Sequence, residues 1–508
     1  MSKTAQQPFV STDHLQDAAP DRRRLRLTLL AMCIAAFMIQ LDVTIVNVAL
    51  PTIQKSLGST VGQMEWVLSG YALGLAAFIP LAGAIGDRLG HKSIFTAGLI
   101  VFGIGSIGCA LGADSTTLIA SRMVQGVGGA AILALTLAIL KRVYPASARG
   151  RAIGTWAAVG GTGFGAGPVI GGLLLGSYGW ASIFWVNIPF TALAVFLTLL
   201  AVPETRHASS IRALDGRGIF LASLGLTSLT FGLIEATSRP WSDPLTLTSI
   251  VGGFCLLVVF AWWQRHASEP LVPESLRGAP SFVGACLIYF ASYTAFAGTL
   301  YYVTLLFQNI KGWSALQTGL SWLLMNIPFL IFAQLAGHLE ARFSTRAIVT
   351  AGCFLSALGV ATLAGLADVP SLDYAAIGYV LSGAGFGLLV PGVTHVAMRD
   401  VPPNAAGAGS AILNCSRQVG TATGLATIGA LGSAATTSRL ANDFGAITAN
   451  REVLSNVISG RPIETLGENL REIAVAAFIH GYRVALTACV LCLIAAALVS
   501  VSALRAKE

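Results

Sequence analysis

Two side chains in this sequence carry charge where charge is expensive. Asp42 stands in "FMIQLDVTIVNVALP" (Phe37–Pro51) and Arg122 opens "RMVQGVGGA" (Arg122–Ala130). Both lie inside long apolar runs. A charged side chain at the centre of a bilayer costs about 2.5–3.5 kcal/mol on insertion scales, so one that is kept there usually binds, pairs or relays protons. A carboxylate can take up a proton, whereas an arginine cannot lose one. If the apolar runs are spans, Asp42 lies roughly eight residues and Arg122 roughly six residues below the same membrane face. At 1.5 Å per residue these depths are about 12 and 9 Å. The two can therefore pair, and a change in their separation would let Asp42 take up and release a proton. The alternative is a structural aspartate that locks its helix to a neighbour. Glu235, Arg417 and Arg483 are the other ionisable residues within spans, Glu235 near a span end.

The segment around Asp42 has a second polar face. Gln40, Thr44 and Asn47 are spaced i, i+4, i+7. At 100° per residue Asp42 is about 200° around the helix from Gln40. Both faces cannot meet one cavity. Either the stripe or Asp42 lines a pathway, and the other contacts a neighbouring helix. Further pathway candidates are Gln125, Trp322 and Asn326, with Tyr293 and Phe296 from an aromatic-rich run near residues 289–307. Those aromatics would suit a large apolar ligand, or would serve packing and interface anchoring.

Helices must position these residues, and composition says in what medium. The chain has 508 residues, 55% hydrophobic and 11% charged. A soluble domain carries about 25% charged residues, so this is an integral membrane protein. Apolar runs of about 20 residues occur near 27–50, 64–86, 93–112, 116–140, 152–176, 181–203, 218–235, 245–264, 280–308, 315–337, 346–366, 373–398, 405–432 and 479–503. That predicts fourteen spans. With the N-terminus inside, 21 Lys and Arg fall in the tails and inner loops, seven in outer loops and three within spans. The asymmetry puts both termini in the cytoplasm. It also assigns the net charge of +8 to membrane orientation and not to nucleic-acid binding.

An internal repeat organises the spans. "LAGAIGDRLGHKSIFTAGL" (81–99) aligns without gaps to "LAGHLEARFSTRAIVTAGC" (335–353), with eight of nineteen positions identical and an offset of 254 residues. Both copies straddle an inner loop, so the repeat is parallel, as in transporters whose halves are related by an axis along the membrane normal. Span ten then matches span two, and two spans are inserted between six-span halves. The expected organisation is a tail (1–26), a six-helix bundle (27–203), a linker with two extra helices (204–279), a second bundle (280–503) with a long outer loop near 433–478, and a short tail (504–508). Ala341 replaces Asp87 in the second copy, so any gating role of that aspartate is expected in the first half only.

Other chemistries find no support. No lysine stands in a phosphate-binding G-x-x-x-x-G-K-[ST] loop, so the chain is not by itself an ATP-driven pump. The seven histidines are scattered and the eight cysteines lie in apolar stretches. Neither a metal site nor an enzyme is readable.

Several motifs together resemble one family. "GAIGDRLGHKS" (Gly83–Ser93) resembles the loop signature of the major facilitator superfamily. "RMVQGVGGA" looks like its span-four motif, and "AVGGTGFGAGPVIGG" (Ala158–Gly172) is similar to its span-five antiporter motif. "LDVTIVNVALP", "IFWVNIP" (Ile183–Pro189) and "NCSRQVGTATG" (Asn414–Gly424) resemble the fourteen-span drug/proton antiporter branch, the EmrB/QacA type. The resemblance implies an all-α polytopic fold of two six-helix bundles in parallel repeat, plus two inserted helices. It implies a proton-coupled exporter of amphipathic or hydrophobic drugs and toxic compounds in the bacterial inner membrane, with no cofactor. A dedicated exporter of a self-made metabolite would share every motif, and an uptake symporter is a further alternative. In a Gram-negative cell a periplasmic adaptor and outer-membrane channel would be partners, besides protons, the small-molecule substrate and the lipid bilayer. Gly83, Asp87, Arg88, Gly90 and Lys92 are implied as a cytoplasmic gate. Gly163, Gly167, Pro168, Gly171 and Gly172 are implied as the hinge-like face of exporters, which also serves packing.

Overall fold

The structure, a computed structural model, describes residues 22–59, 61–204, 215–238, 241–268, 270–340, 342–365, 372–402, 405–443, 457 and 468–504. Most of the N-terminal tail, the middle of the linker, Ala341, nearly all of 444–467 and the last four residues lie outside that set. The described chain is helical. The first half comprises α1 (Arg22–Leu57), α2 (Val61–Leu89), α3 (His91–Leu111), α4 (Ser115–Val143), α5 (Ala146–Tyr178), α6 (Ser182–Trp185) and α7 (Asn187–Ala201). Between the halves stand α8 (Gly216–Ser238), α9 (Pro244–His266) and the single turn α10 (Glu274–Arg277). The second half comprises α11 (Pro280–Leu305), α12 (Ala315–Ser321), α13 (Leu323–Leu339), α14 (Thr345–Gly365), α15 (Leu372–Asp400), α16 (Ala406–Thr423), α17 (Gly429–Asp443) and α18 (Glu468–Ala503). A π-helical turn, Gly424–Ile428, joins α16 to α17.

Among the described residues twelve helices are long and apolar enough to cross a membrane, or thirteen with the bent α5 taken as one span. This differs from the fourteen expected. The run at 405–432 is helical but is not among the twelve, because "NCSRQVGTATG" puts Arg417 and several small polar side chains in its middle. Helix also extends past both edges of the expected outer loop: α17 runs to Asp443 and α18 starts at Glu468.

Exposed surfaces are apolar where a soluble protein would be polar. On α9 the side chains of Leu247, Val251, Phe254, Val258 and Trp262 are all exposed, a lipid-facing pattern. Within the first half α1 packs on α5 and α7, and α4 on α2 and α3. Within the second, α15 packs on α13 and α14, and α11 on α16 and α18. The halves meet where α5 faces α13 and α15, and where α2 and α4 face α16. Of the inserted pair, α8 packs against α2 and α9 packs on α8.

Candidate functional site

Asp42 is fully buried in the first half. Its Oδ2 accepts a 2.6 Å bond from Arg122 Nη1. Its Oδ1 accepts from Gln125 Nε2 at 2.8 Å and from Asn187 Nδ2 at 3.0 Å. Gln125 and Arg122 are three residues apart on α4 and so share a face. The Gln125 carbonyl accepts from Arg122 at 2.6 Å, and its amide donates to Ser106 of α3 at 2.7 Å. Arg122 also donates from Nε to the carbonyl of Val67 at 3.2 Å and lies over the Tyr71 ring at 4.4 Å. Five elements (α1, α2, α3, α4 and α7) thus converge on one charge pair. Asn187 reaches it because the chain breaks between α6 and α7, which places the first residue of α7 against α1. Asn187 and Ser106 were not singled out from the sequence; neutral polar residues carry no depth signal of their own.

A cavity of about 90 Å³ lies between the halves. Gln40 of α1, Trp156 and Phe164 of α5, Tyr293 and Phe296 of α11, and Asn326 of α13 face it. Arg417 of α16 completes the wall, its guanidinium 5.6 Å from the centre of the Tyr293 ring. Drug-sized ligands need pockets of about 300–1,000 Å³, so in this conformation the cavity is smaller than such a ligand needs.

These placements correct part of the sequence reading. Asp42 and Arg122 are in contact, but neither lines the cavity. Their partner Gln125 also points into the first half and away from the cavity. Gln40, from the stripe on the other face of α1, is the residue that reaches it. Thr44 is turned against Gly167 of α5, and Asn47 is exposed and bonded to the Val43 carbonyl of its own helix. Trp322 is buried against Tyr379, with ring centres 5.3 Å apart, and stands outside the cavity. Arg417, noted only as an ionisable residue within a span, belongs to the cavity.

At one end of the molecule, beyond the cavity, polar contacts cross between halves. The Asp87 carboxylate, at the end of α2, accepts from the N–H groups of Gly407 and Ala408 at 2.7 and 2.8 Å. These are free donors at the start of α16, where the helix dipole favours an anion. His91 Nε2 lies 2.8 Å from the same carboxylate. Gly83 permits this docking: a Cβ there would stand 2.7 Å from the Gly407 carbonyl oxygen. Lys141 of α4 donates to the carbonyls of Met398 and Val401 at the far end of α15. Gly90 turns the chain between α2 and α3 at φ 106°, a conformation that suits glycine. Arg88 lies in the last turn of α2, and Lys92 donates to the Leu199 carbonyl at 3.0 Å. The second half also presents a carboxylate here. Glu340, one position before Ala341, lies beside Gly150 near the start of α5 and 2.7 Å from His395. The gapless alignment pairs Glu340 with Gly86, so a shift of one residue at a helix end hid it.

The glycines of α5 divide between two faces. Gly163, Gly167 and Gly171 lie against Phe37, Thr44 and Ile45 of α1, inside the first half. Gly154, Gly161 and Gly165 lie against Ala333, Phe329 and Asn326 of α13, across the halves. The helix bends by 44° between Ala146–Gly167 and Val169–Tyr178. The break falls at Pro168, which lacks the N–H that would continue the helix. Gly172 lies one turn beyond it.

Comparison with known proteins places this architecture. The Major Facilitator Superfamily model matches residues 32–425. The chain is 34% identical over 481 residues to the multidrug resistance protein Stp of Mycobacterium tuberculosis, covering 91% of this chain and 88% of that protein. It is 33% identical to the methylenomycin A resistance protein of Streptomyces coelicolor, covering 78% and 84%. It is 30% identical to the tetracenomycin C resistance and export protein of Streptomyces glaucescens, covering 80% and 75%. Among solved structures it shares its fold with the human organic anion transporter MFSD10 at a TM-score of 0.62 and 16% identity, over 95% of this chain and all of that one. The proton:xylose symporter XylE gives 0.61 and 15%, over 96% and 97%. Two bundles meeting around a central cavity, a matching family model and relatives alike over most of their length agree: the chain is a multi-pass membrane protein and belongs to the Major Facilitator Superfamily of transporters.

Proposed function

We propose that this protein is a proton-coupled exporter of drugs or toxic compounds, working by alternating access across the bacterial inner membrane. On this reading it has fourteen spans, the run at 405–432 being one of them, and both termini are cytoplasmic. The names of its relatives, which include multidrug resistance and antibiotic export, support the direction of transport. The observation that carries the coupling is the fully buried Asp42–Arg122 pair, the one carboxylate–guanidinium contact inside the first bundle among the described residues. Protonating Asp42 would remove the charge that Arg122 pairs with, at a point where five helices meet. On this reading the end held together by the polar contacts around Asp87 and Lys141 is the cytoplasmic one, and substrate leaves and protons enter at the other.

A second reading, export of one chemical class, is favoured by relatives named for single antibiotics. Both are tested by growth against a panel of toxic compounds, with cells expressing the wild type or, at a matched membrane level, the double substitution Asp42→Asn with Arg122→Gln, and a proton uncoupler as control. Broad resistance that the uncoupler and the substitution both abolish is expected of a multidrug exporter. Resistance confined to one scaffold selects the second reading, and no resistance to any compound counts against both.

A further inference from the structure

The chain treats its two interior arginines differently. Arg122 is buried and fully engaged by Asp42, Gln125 and Val67. Arg417 faces the central cavity, and among the described residues no carboxylate lies within ion-pair distance of it. Its guanidinium lies over the face of Tyr293. A guanidinium keeps its charge at any physiological pH. Leaving it half-buried and without a counter-ion in the bundle interior is costly unless something else brings the negative charge. The lining of the cavity says what that something is. It contains no Asp or Glu, so Arg417 is its one charged group, and Gln40 and Asn326 are its amides. The remaining wall is largely aromatic: Phe296 makes edge contacts with Phe164, Tyr293 and Phe386 at centroid distances of 5.7, 6.0 and 5.3 Å. Ring faces and edges there suit a planar aromatic body.

We propose that the cargo class is an aromatic anion, a carboxylate or phenolate on a ring system, whose charge pairs with Arg417 while its rings pack on Tyr293 and Phe296. This rests on the reading of the central cavity as the transport pathway, which widens from its present volume of about 90 Å³ as the halves rock apart to admit the ligand. It assigns Arg417 as a specificity-determining residue. A guanidinium offers two parallel donors to a carboxylate, which a neutral amide cannot match and an ammonium ion opposes. Export of an anion against an entering proton moves positive charge inward twice per cycle. The membrane potential, negative inside, therefore helps to drive it.

Equilibrium binding tests this without any gradient. The purified full chain is titrated with anthracene-9-carboxylate, anthracene-9-carboxamide and 9-(aminomethyl)anthracene, followed by quenching of tryptophan fluorescence, to which Trp156 in the cavity wall contributes. The wild type is expected to bind the carboxylate at least about tenfold more tightly than the amide, and the ammonium most weakly. Arg417→Lys is expected to keep that order, and Arg417→Gln to bind carboxylate and amide alike. Equal affinity for the three probes in the wild type, or no binding of any, overturns the assignment whether or not the variants fold. Retention of the carboxylate preference by folded Arg417→Gln also overturns it. If the carboxylate binds with the expected preference but is not moved by reconstituted protein, the transport reading fails while the Arg417 assignment stands.

Discussion

At the scale of residues, the central object is a buried ion pair and its neutral supports. Removing one partner of such a pair typically costs about 3–5 kcal/mol, because the other charge stays buried and uncompensated. Asp42→Asn alone is therefore expected to lower thermal stability sharply. The double substitution Asp42→Asn with Arg122→Gln removes both charges and should recover most of that loss, as read by thermal unfolding in detergent. Full stability of the single variant would show that Arg122 finds another partner. The pairing itself was legible because an acid and a base at matched depths in two apolar runs are conspicuous. Gln125 was assigned to the pathway and instead serves the pair: an uncharged amide can face either way, and only the packing of α4 on α2 and α3 decides. Arg417 was visible as a charge, but the faces of α16 could not be told apart before α2, α4 and α11 were placed around it.

At the scale of elements, the helices follow from apolar length, and their ends from local caps. Asp114 shows the second effect. Its carboxylate accepts from the Thr117 N–H at 2.8 Å and from the Thr117 hydroxyl at 3.1 Å, which caps α4 and holds its pKa below the ordinary carboxylate value. A carboxyl group with a depressed pKa in the folded state adds stability above its unfolded pKa, about 3.9, and loses it as pH falls through the folded value. Asp114→Ala should therefore lower the melting temperature at neutral pH, with the gap to wild type closing as pH falls below about 4. A gap independent of pH would assign the loss to something other than the charged cap. Span positions were legible because each is a long apolar run. The run at 405–432 was read as a span like the others, but its polar middle serves the cavity and the interface with the first half and lowers its apolar character. The two faces of α5 were also hidden. Eight glycines between 158 and 176 signal close packing, but not that one set meets α1 and another meets α13.

At the scale of the whole molecule, two halves enclose a cavity too small for a drug and are latched at one end by polar contacts. A rigid-body rocking of one half against the other is the motion this allows. Asp87 holds two backbone donors of α16 with charge-assisted bonds, which are about twice as strong as neutral ones. Asp87→Asn should shift the population toward states open at this end. Spin labels at Leu89 and Phe343, both exposed, would report a longer mean distance in the variant, and an unchanged distribution would mean that Lys141 and Glu340 suffice to hold the latch. The parallel repeat made the two-bundle plan legible from sequence, whereas the second carboxylate, Glu340, lay one position out of register. The central claim is that Asp42 couples proton entry to this motion. The most direct test reconstitutes the protein in liposomes containing a pH-sensitive dye and adds a compound to which the wild type confers resistance. The wild type should move protons in a substrate-dependent way, and the Asp42→Asn/Arg122→Gln pair should pass the compound down its own gradient with no proton movement. Substrate-driven proton flux that survives in the double variant, or that is absent from the wild type, would contradict the account.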